Sequence, residues 1–358
     1  MTLADIAALR LHNQRLAHPD LKTPADVVRW FGAVQAQDFP GALYAIGLRM
    51  PSATEASVEQ AIADKMIVRS WPMRGTIHFM PAEDARWMMR LLAPRYNVKA
   101  ANNYRKAGLT PRIMAKAGKL LANRMSGGRL CTRQELYEVL GASGIKTGMQ
   151  GTEQRGLHVI GHWAREGLIC IAARRGKQHT FALLDEWLPA GRDLSGADAL
   201  AEMAKRYFSS HGPATLKDFA WWSGLTLAEA KRGFQPVQHA FESAIVNDTE
   251  YWFSPITRLS RPNTKQVLLL PPYDEYTVAY ADRSAAIDPS MLKAALSGLG
   301  ANIVVDGRIA GTWQRKVEKN EVHIIARPLK SNTPTPRKAL AAAADRYGMF
   351  LQRKVILG

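Results

Sequence analysis

The chain has 358 residues, 47% of them apolar, which is enough for several packed domains of about 100 to 150 residues each. It carries 48 Lys and Arg against 31 Asp and Glu, a formal net charge of +17. A surplus of that size points to a polyanionic partner, with nucleic acid the first candidate. The two cysteines, Cys131 and Cys170, lie far apart with no Cys-x-x-Cys, so neither a disulfide framework nor a thiolate zinc site follows from them. No apolar run approaches the roughly 18 residues of a membrane span, and Met1-Thr2-Leu3-Ala4-Asp5 lacks a basic n-region, so a cytoplasmic protein is expected.

In chain order, residues 3–17 read as a helix. Thr23-Pro24-Ala25-Asp26-Val27-Val28 starts a second, with a hydroxyl at the N-cap and an acid at N3 to meet the orphan amides and the positive helix end. Its apolar residues Val27, Val28, Trp30, Phe31 and Val34 run into a turn expected to stop at Pro40. Here Gln35 and Gln37 sit one residue apart. Amides crowded against apolar side chains cost free energy unless each finds a partner. A neutral carboxamide pair can orient a water and a substrate oxygen without adding charge. A helix over about 55–64 and strands at 66–69 and 76–79 follow. The intervening Arg69-Ser70-Trp71-Pro72-Met73-Arg74-Gly75-Thr76-Ile77-His78 allows two readings. Arg69, Arg74 and His78 suit phosphate contact with Trp71 stacking on a base, or Trp71 closes the core and His78 faces a neighbouring strand.

No acidic residue occurs from Ala85 to Gln134, while Arg86, Arg90, Arg95, Lys99, Arg105, Lys106, Arg112, Lys116, Lys119, Arg124, Arg129 and Arg133 all fall there. Apolar residues such as Trp87, Leu91 and Leu120 are interleaved, as in folded helix with a basic exterior. Pairs three or four apart repel on a helix unless a phosphate backbone lies nearby, which makes Arg86, Arg90, Lys116 and Lys119 candidate DNA contacts.

The helix-start pattern recurs at Thr132-Arg133-Gln134-Glu135-Leu136-Tyr137 and Thr215-Leu216-Lys217-Asp218-Phe219-Ala220. Helical stretches precede these copies at 111–125 and 195–209, and others follow at about 152–165 and 227–233. Hairpins then close the units, pairing 168–171 with 179–182 and 241–246 with 251–253 across polar turns. Helix, helix, helix, hairpin is the order of a winged-helix unit, and three copies suggest tandem duplication. In the middle unit Arg155, His158 and His162 share one helical face with Arg165, opposite Val159, Ile160 and Trp163. That face is available to DNA or to packing. His158 and His162 are four apart, but Val159 stands where a zinc-hydrolase helix needs Glu, so no metal site is expected.

After Pro262 the composition changes. Val267-Leu268-Leu269-Leu270 reads as a buried strand ended by Pro271-Pro272, residues 301–313 as a hairpin with an Asp306-Gly307 turn, 322–326 as a strand and 335–346 as a helix. The carboxylates in Pro272-Tyr273-Asp274-Glu275-Tyr276 and Tyr280-Ala281-Asp282-Arg283 are read as ion pairs within a loop, with acid or base roles as the other possibility. The expected fold is mainly α with β, α+β. Winged-helix units occupy 1–108 (with the basic helical extension), 109–190 and 191–264, and a β-rich, barrel-like domain occupies 265–358.

Val34-Gln35-Ala36-Gln37, Arg74-Gly75-Thr76-Ile77-His78, Leu270-Pro271-Pro272-Tyr273-Asp274 and the run from Val305 to Trp313, on this tandem layout, resemble the AlkZ-type winged-helix DNA glycosylases. The resemblance covers nearly the whole chain. The family's diagnostic triplet is Gln-Φ-Gln, with Gln-Φ-Asp in the sister group named YcaQ or AlkX, and Gln35-Ala36-Gln37 looks like the first. The resemblance implies Gln35 and Gln37 as the catalytic pair, no cofactor, and hydrolysis of the N-glycosidic bond of N7-alkylated purines in double-stranded DNA by a monomer near the nucleoid. It extends to bulky adducts or interstrand crosslinks, handled with little or no base flipping. The rival expectation is a non-catalytic winged-helix DNA-binding or transcription-regulatory protein.

Overall fold

Each of the three Thr-acid patterns closes a capping box. Thr23 with Asp26 starts one helix, Thr132 with Glu135 another and Thr215 with Asp218 a third, each hydroxyl accepting the N3 amide while the acid accepts the N-cap amide. The computed structural model describes residues 1–150, 153–255, 265–288, 291, 300–329 and 335–358. These form two compact units, residues 1–58 with 200–358, and residues 59–199. Those boundaries fall at 58/59 and 199/200, where the sequence expectation set 108, 190 and 264.

The N-terminal stretch holds α1 (Leu3–Asn13), α2 (Pro24–Phe31), the short strand β1 (Val34–Gln35), α3 (Phe39–Gly47) and α4 (Glu55–Ala63). Two expectations are corrected here. The second helix ends at Phe31, not beyond Val34, because Gly32 turns the chain with φ +81°. Pro40 does not stop a helix but sits in the first turn of α3, where its missing N–H costs nothing. Gln35 therefore lies on extended backbone.

The 59–199 unit runs β2 (Ile67–Met73), β3 (Thr76–Pro81), α5 (Ala85–Lys106), α6 (Pro111–Met125), β4 (Cys131–Thr132), α7 (Arg133–Ala142), β5 (Met149–Gln150), β6 (Glu153–Gln154), α8 (Arg155–Arg165), β7 (Ile169–Arg175), β8 (Gln178–Leu183) and α9 (Leu184–Trp187). Its sheet has neighbours in the order β3-β2-β7-β8-β4. The two hairpins are thus joined, antiparallel, where Arg69 pairs with Ile171. Leu121, Met125, Leu136, Leu140, Val159, Ile160, Ile169 and Phe181 pack between this sheet and the helices, with Trp71 and Trp163 against them. Gly118 makes room for Trp163: a Cβ there would stand 2.3 Å from the indole.

The chain then returns to the first unit through α10 (Gly196–His211), α11 (Leu216–Ser223) and α12 (Leu227–Phe234), a 3-10 turn, and the hairpin β9 (Glu242–Val246) and β10 (Thr249–Phe253). The remainder holds β11 (Val267–Leu270), α13 (Glu275–Val278), β12 (Asn302–Val305), β13 (Arg308–Val317), β14 (Glu321–Pro328), α14 (Arg337–Leu351) and β15 (Lys354–Leu357). These strands make one sheet in the order β11 to β15, antiparallel except for the parallel β14–β15 edge. The fold is α+β, and among the described residues no helix is long and apolar enough to cross a membrane.

Candidate active site

The segment after Gly32 is buried without a break through Ala36 and emerges only at Gln37. Gln35 itself is 7% exposed. The peptide N–H of Gln35 donates to Glu275 Oε1 at 2.7 Å. Glu275 opens α13, is itself fully buried, and accepts through Oε2 from Trp222 Nε1 (2.9 Å) and His211 Nε2 (3.4 Å). Burial holds the His211 pKa below its usual value against the pull of Glu275, so the ring is neutral at pH 7. It stacks on Tyr207 at 4.6 Å and meets Phe31 edge-on at 5.1 Å.

Beside Glu275, Asp274 forms a bidentate pair with Arg49, both contacts at 2.8 Å and both residues buried. Arg49 also donates to Gln14 Oε1 (3.0 Å), Gln14 to the Tyr280 hydroxyl (2.9 Å), and that hydroxyl to the His211 carbonyl (2.8 Å). Asp274 is ion-paired, but to Arg49 225 residues away and not within its own loop as expected from the sequence. Glu275 has a different role, because neutral donors surround it, one of them the backbone of the glutamine segment. Asp38 caps α3 by position, lies against Gly41, and has Arg315 Nη2 3.7 Å from its Oδ2. Arg315 is held in turn by the Tyr347 hydroxyl (2.5 Å).

The candidate DNA contacts divide by exposure. Arg69 and His78 are buried. Arg69 lies 3.3 Å from His179 Nε2, and His78 Nε2 lies 3.3 Å from Arg74 Nη2. Arg86 is committed to Asp185 (2.9 Å) and the carbonyls of Pro189 (2.7 Å) and Leu188 (3.2 Å), and Arg90 to Asp193. Lys116 and Lys119 are exposed on α6, the former 2.7 Å from the Ser143 carbonyl. The polar face of α8 meets α5. Tyr104 stands edge-on to His158 (5.9 Å) and His162 (5.6 Å), Arg165 is buried against Asn97 and Tyr104, and Arg155 donates to the Lys146 carbonyl (3.2 Å). Burial also keeps both histidines below their usual pKa.

Sequence reading missed His211, Trp222, Arg49 and Gln14. Arg49, His211 and Trp222 reach Asp274 and Glu275 across 53 to 225 residues, and Gln14 joins through Arg49 35 residues away, so only the flagged Asp-Glu pair gave a local signal.

A buried, hydrogen-bonded scaffold that presents an exposed neutral amide just after a short strand, in a basic α+β chain, suits a DNA-processing hydrolase. A family model described as DNA glycosylase AlkZ-like matches residues 28–350. The chain belongs to the AlkZ-like family of DNA glycosylases. It is 26% identical over 365 residues to the "Interstrand DNA cross-link repair glycosylase" of Streptomyces sahachiroi, covering 95% of this chain and 94% of that one. A solved structure, the Streptomyces sahachiroi DNA glycosylase AlkZ, shares the fold with a TM-score of 0.81 at 23% identity, over 100% of both chains.

Proposed function

We propose that this glycosylase hydrolyses the N-glycosidic bond of N7-alkylated purines in duplex DNA, including bulky adducts or interstrand crosslinks, with Gln35 and Gln37 as the catalytic pair. One observation carries the reading: Gln37 is exposed in the bend just after β1, two residues beyond a peptide anchored to a buried carboxylate. An alkyl group at N7 leaves the base cationic and already a good leaving group. The remaining task is to orient a water and to stabilise an oxocarbenium-like transition state with fixed dipoles, which carboxamides can do. No lysine occurs between residues 23 and 64, which favours simple hydrolysis over a Schiff-base lyase step.

The three helix–hairpin segments are read as winged-helix units and the five-stranded sheet as part of a barrel-like domain, the whole acting as a monomer on nucleoid DNA without a cofactor. The DNA-facing set centres on Lys116 and Lys119, with Arg155, His158 and His162 as a partly covered second group. Arg86, Arg90 and Arg74 contribute only where phosphate replaces their protein partners. Arg69 and His78 are left out because they are buried. Incubation with duplexes carrying N7-methylguanine or a nitrogen-mustard crosslink tests the reading. Release of free base or unhooking is expected, and binding without release from either duplex would favour the non-catalytic alternative.

A further inference from the structure

Glu275 does more than fill space. Donors reach its carboxylate from three elements: the Gln35 peptide on β1, the His211 ring on α10 and the Trp222 indole on α11. Peptide and indole N–H groups can only donate, so the group they surround must accept on both oxygens. A buried carboxylate is tolerable only when its oxygens are met in this way. His211 completes the arrangement as a neutral ring with its proton on Nε2 toward Glu275, leaving Nδ1 to face Ser210 Oγ at 2.8 Å.

We infer that Glu275 is a positioning residue for base release: its carboxylate fixes the Gln35 peptide and thereby sets where the Gln37 amide stands. The inference rests on the glycosylase reading, and it separates two roles at Gln35. The side chain of Gln35 belongs to the chemistry, while its backbone N–H belongs to the anchor and survives substitution of the side chain.

The test is Glu275→Gln, which keeps the size but puts an NH2 group against a donor-only neighbour, either the Gln35 peptide or the Trp222 indole. Single-turnover base release from N7-methylguanine duplex is expected to slow by about a hundredfold, the usual result of an ångström-scale misplacement. Duplex Kd should stay within about twofold, because the loss falls on the transition state. Amide exchange at Gln35 should accelerate.

The double variant Glu275→Gln/Trp222→Phe removes the clashing indole donor. The new NH2 can then point at His211, whose ring shifts its proton to Nδ1 against Ser210 Oγ, while the amide oxygen keeps the Gln35 N–H. Recovery of about tenfold in rate, the effect of relieving one mismatched buried donor, supports positioning. A double variant slower than Glu275→Gln would mean that packing alone matters and overturns the inference. So would Glu275→Gln with wild-type rate, or with unchanged exchange at Gln35. If the wild-type protein released no base, the glycosylase reading would fail by itself, and exchange at Gln35 would still decide whether the anchor exists.

Discussion

The glutamine segment and the basic tract of α5 and α6 hold their polar groups in opposite ways. Beneath Gln35, the polar groups are buried and met by partners far along the chain, as Asp274 is by Arg49 and Glu275 by the Gln35 peptide. On α5 and α6 the charges are mostly exposed. Some are paired with exposed acids, as Arg90 is with Asp193, and others such as Lys119 lie open to water. The first arrangement gives fixed geometry and little tolerance of change. The second gives a diffuse field, adjustable one charge at a time. Transition-state chemistry needs the first, and sequence-independent binding to phosphates needs only the second.

Asp274→Ala should expose this contrast most strongly. It strands Arg49 in a buried site, a loss of about 3–5 kcal/mol for a broken buried pair. Asp193→Ala, which frees Arg90 at the surface, should cost no more than about 1 kcal/mol. Urea midpoints of the two variants measure the difference, and similar midpoints would show that the buried pair is no more fixed than the exposed one.

Next in size is Gln37→Ala. Losing a water-positioning amide should cost about 3 kcal/mol in the barrier, roughly a hundredfold or more in single-turnover rate, with DNA affinity nearly intact. Gln35→Ala should lose less. Asp38→Asn is the control, since Arg315 already lies against that carboxylate. An inactive Asp38→Asn beside an active Gln37→Ala would make the carboxylate the general base and the amides structural.

Much of the fold was legible because its signals are local. The Thr-acid caps fix helix starts within four residues, and Asn247-Asp248 and Asp306-Gly307 adopt the positive φ angles that tight hairpins require. α3 was hidden by reading Pro40 as a stop, and β15 by the shortness of Lys354-Val355-Ile356-Leu357. The joining of the two hairpins through Arg69 and Ile171 is a long-range pairing with no local sign. The same holds for the site: the glutamine pair stands out in sequence, but the carboxylate that anchors it lies 240 residues away.

In the basic tract the expected effect is smaller and graded. Lys116→Gln with Lys119→Gln should flatten the dependence of log Kd on log salt by about 0.9 for each phosphate that is no longer neutralised. Arg86→Gln with Arg90→Gln should change it less, because those guanidinium groups already meet Asp185, Asp193 and two carbonyls. Equal flattening by both pairs would mean that DNA displaces the acidic partners, and the distinction between open and committed charges would fail.

The smallest effect lies at His179, where the two hairpins meet. Burial first, then the Arg69 and Arg174 guanidinium groups, push its pKa down to about 4. The neutral ring lies within 3.3 Å of Arg69, whereas a protonated ring would sit between two cations. In the unfolded chain the imidazole titrates near 6.5. Between those values the unfolded state binds the proton and the folded state does not, so stability falls as pH drops from about 6.5 toward 4 and is fully present above 6.5. Partial exposure of the ring screens the effect, which should appear as a modest slope in the urea midpoint between pH 7.5 and 5. His179→Gln keeps an oxygen to accept from Arg69 but carries no titrating proton, so its slope should be shallower than that of the wild-type protein. Parallel slopes would mean that the joined hairpins tolerate the extra charge, and that the 59–199 unit is as adjustable inside its sheet as it is along α6.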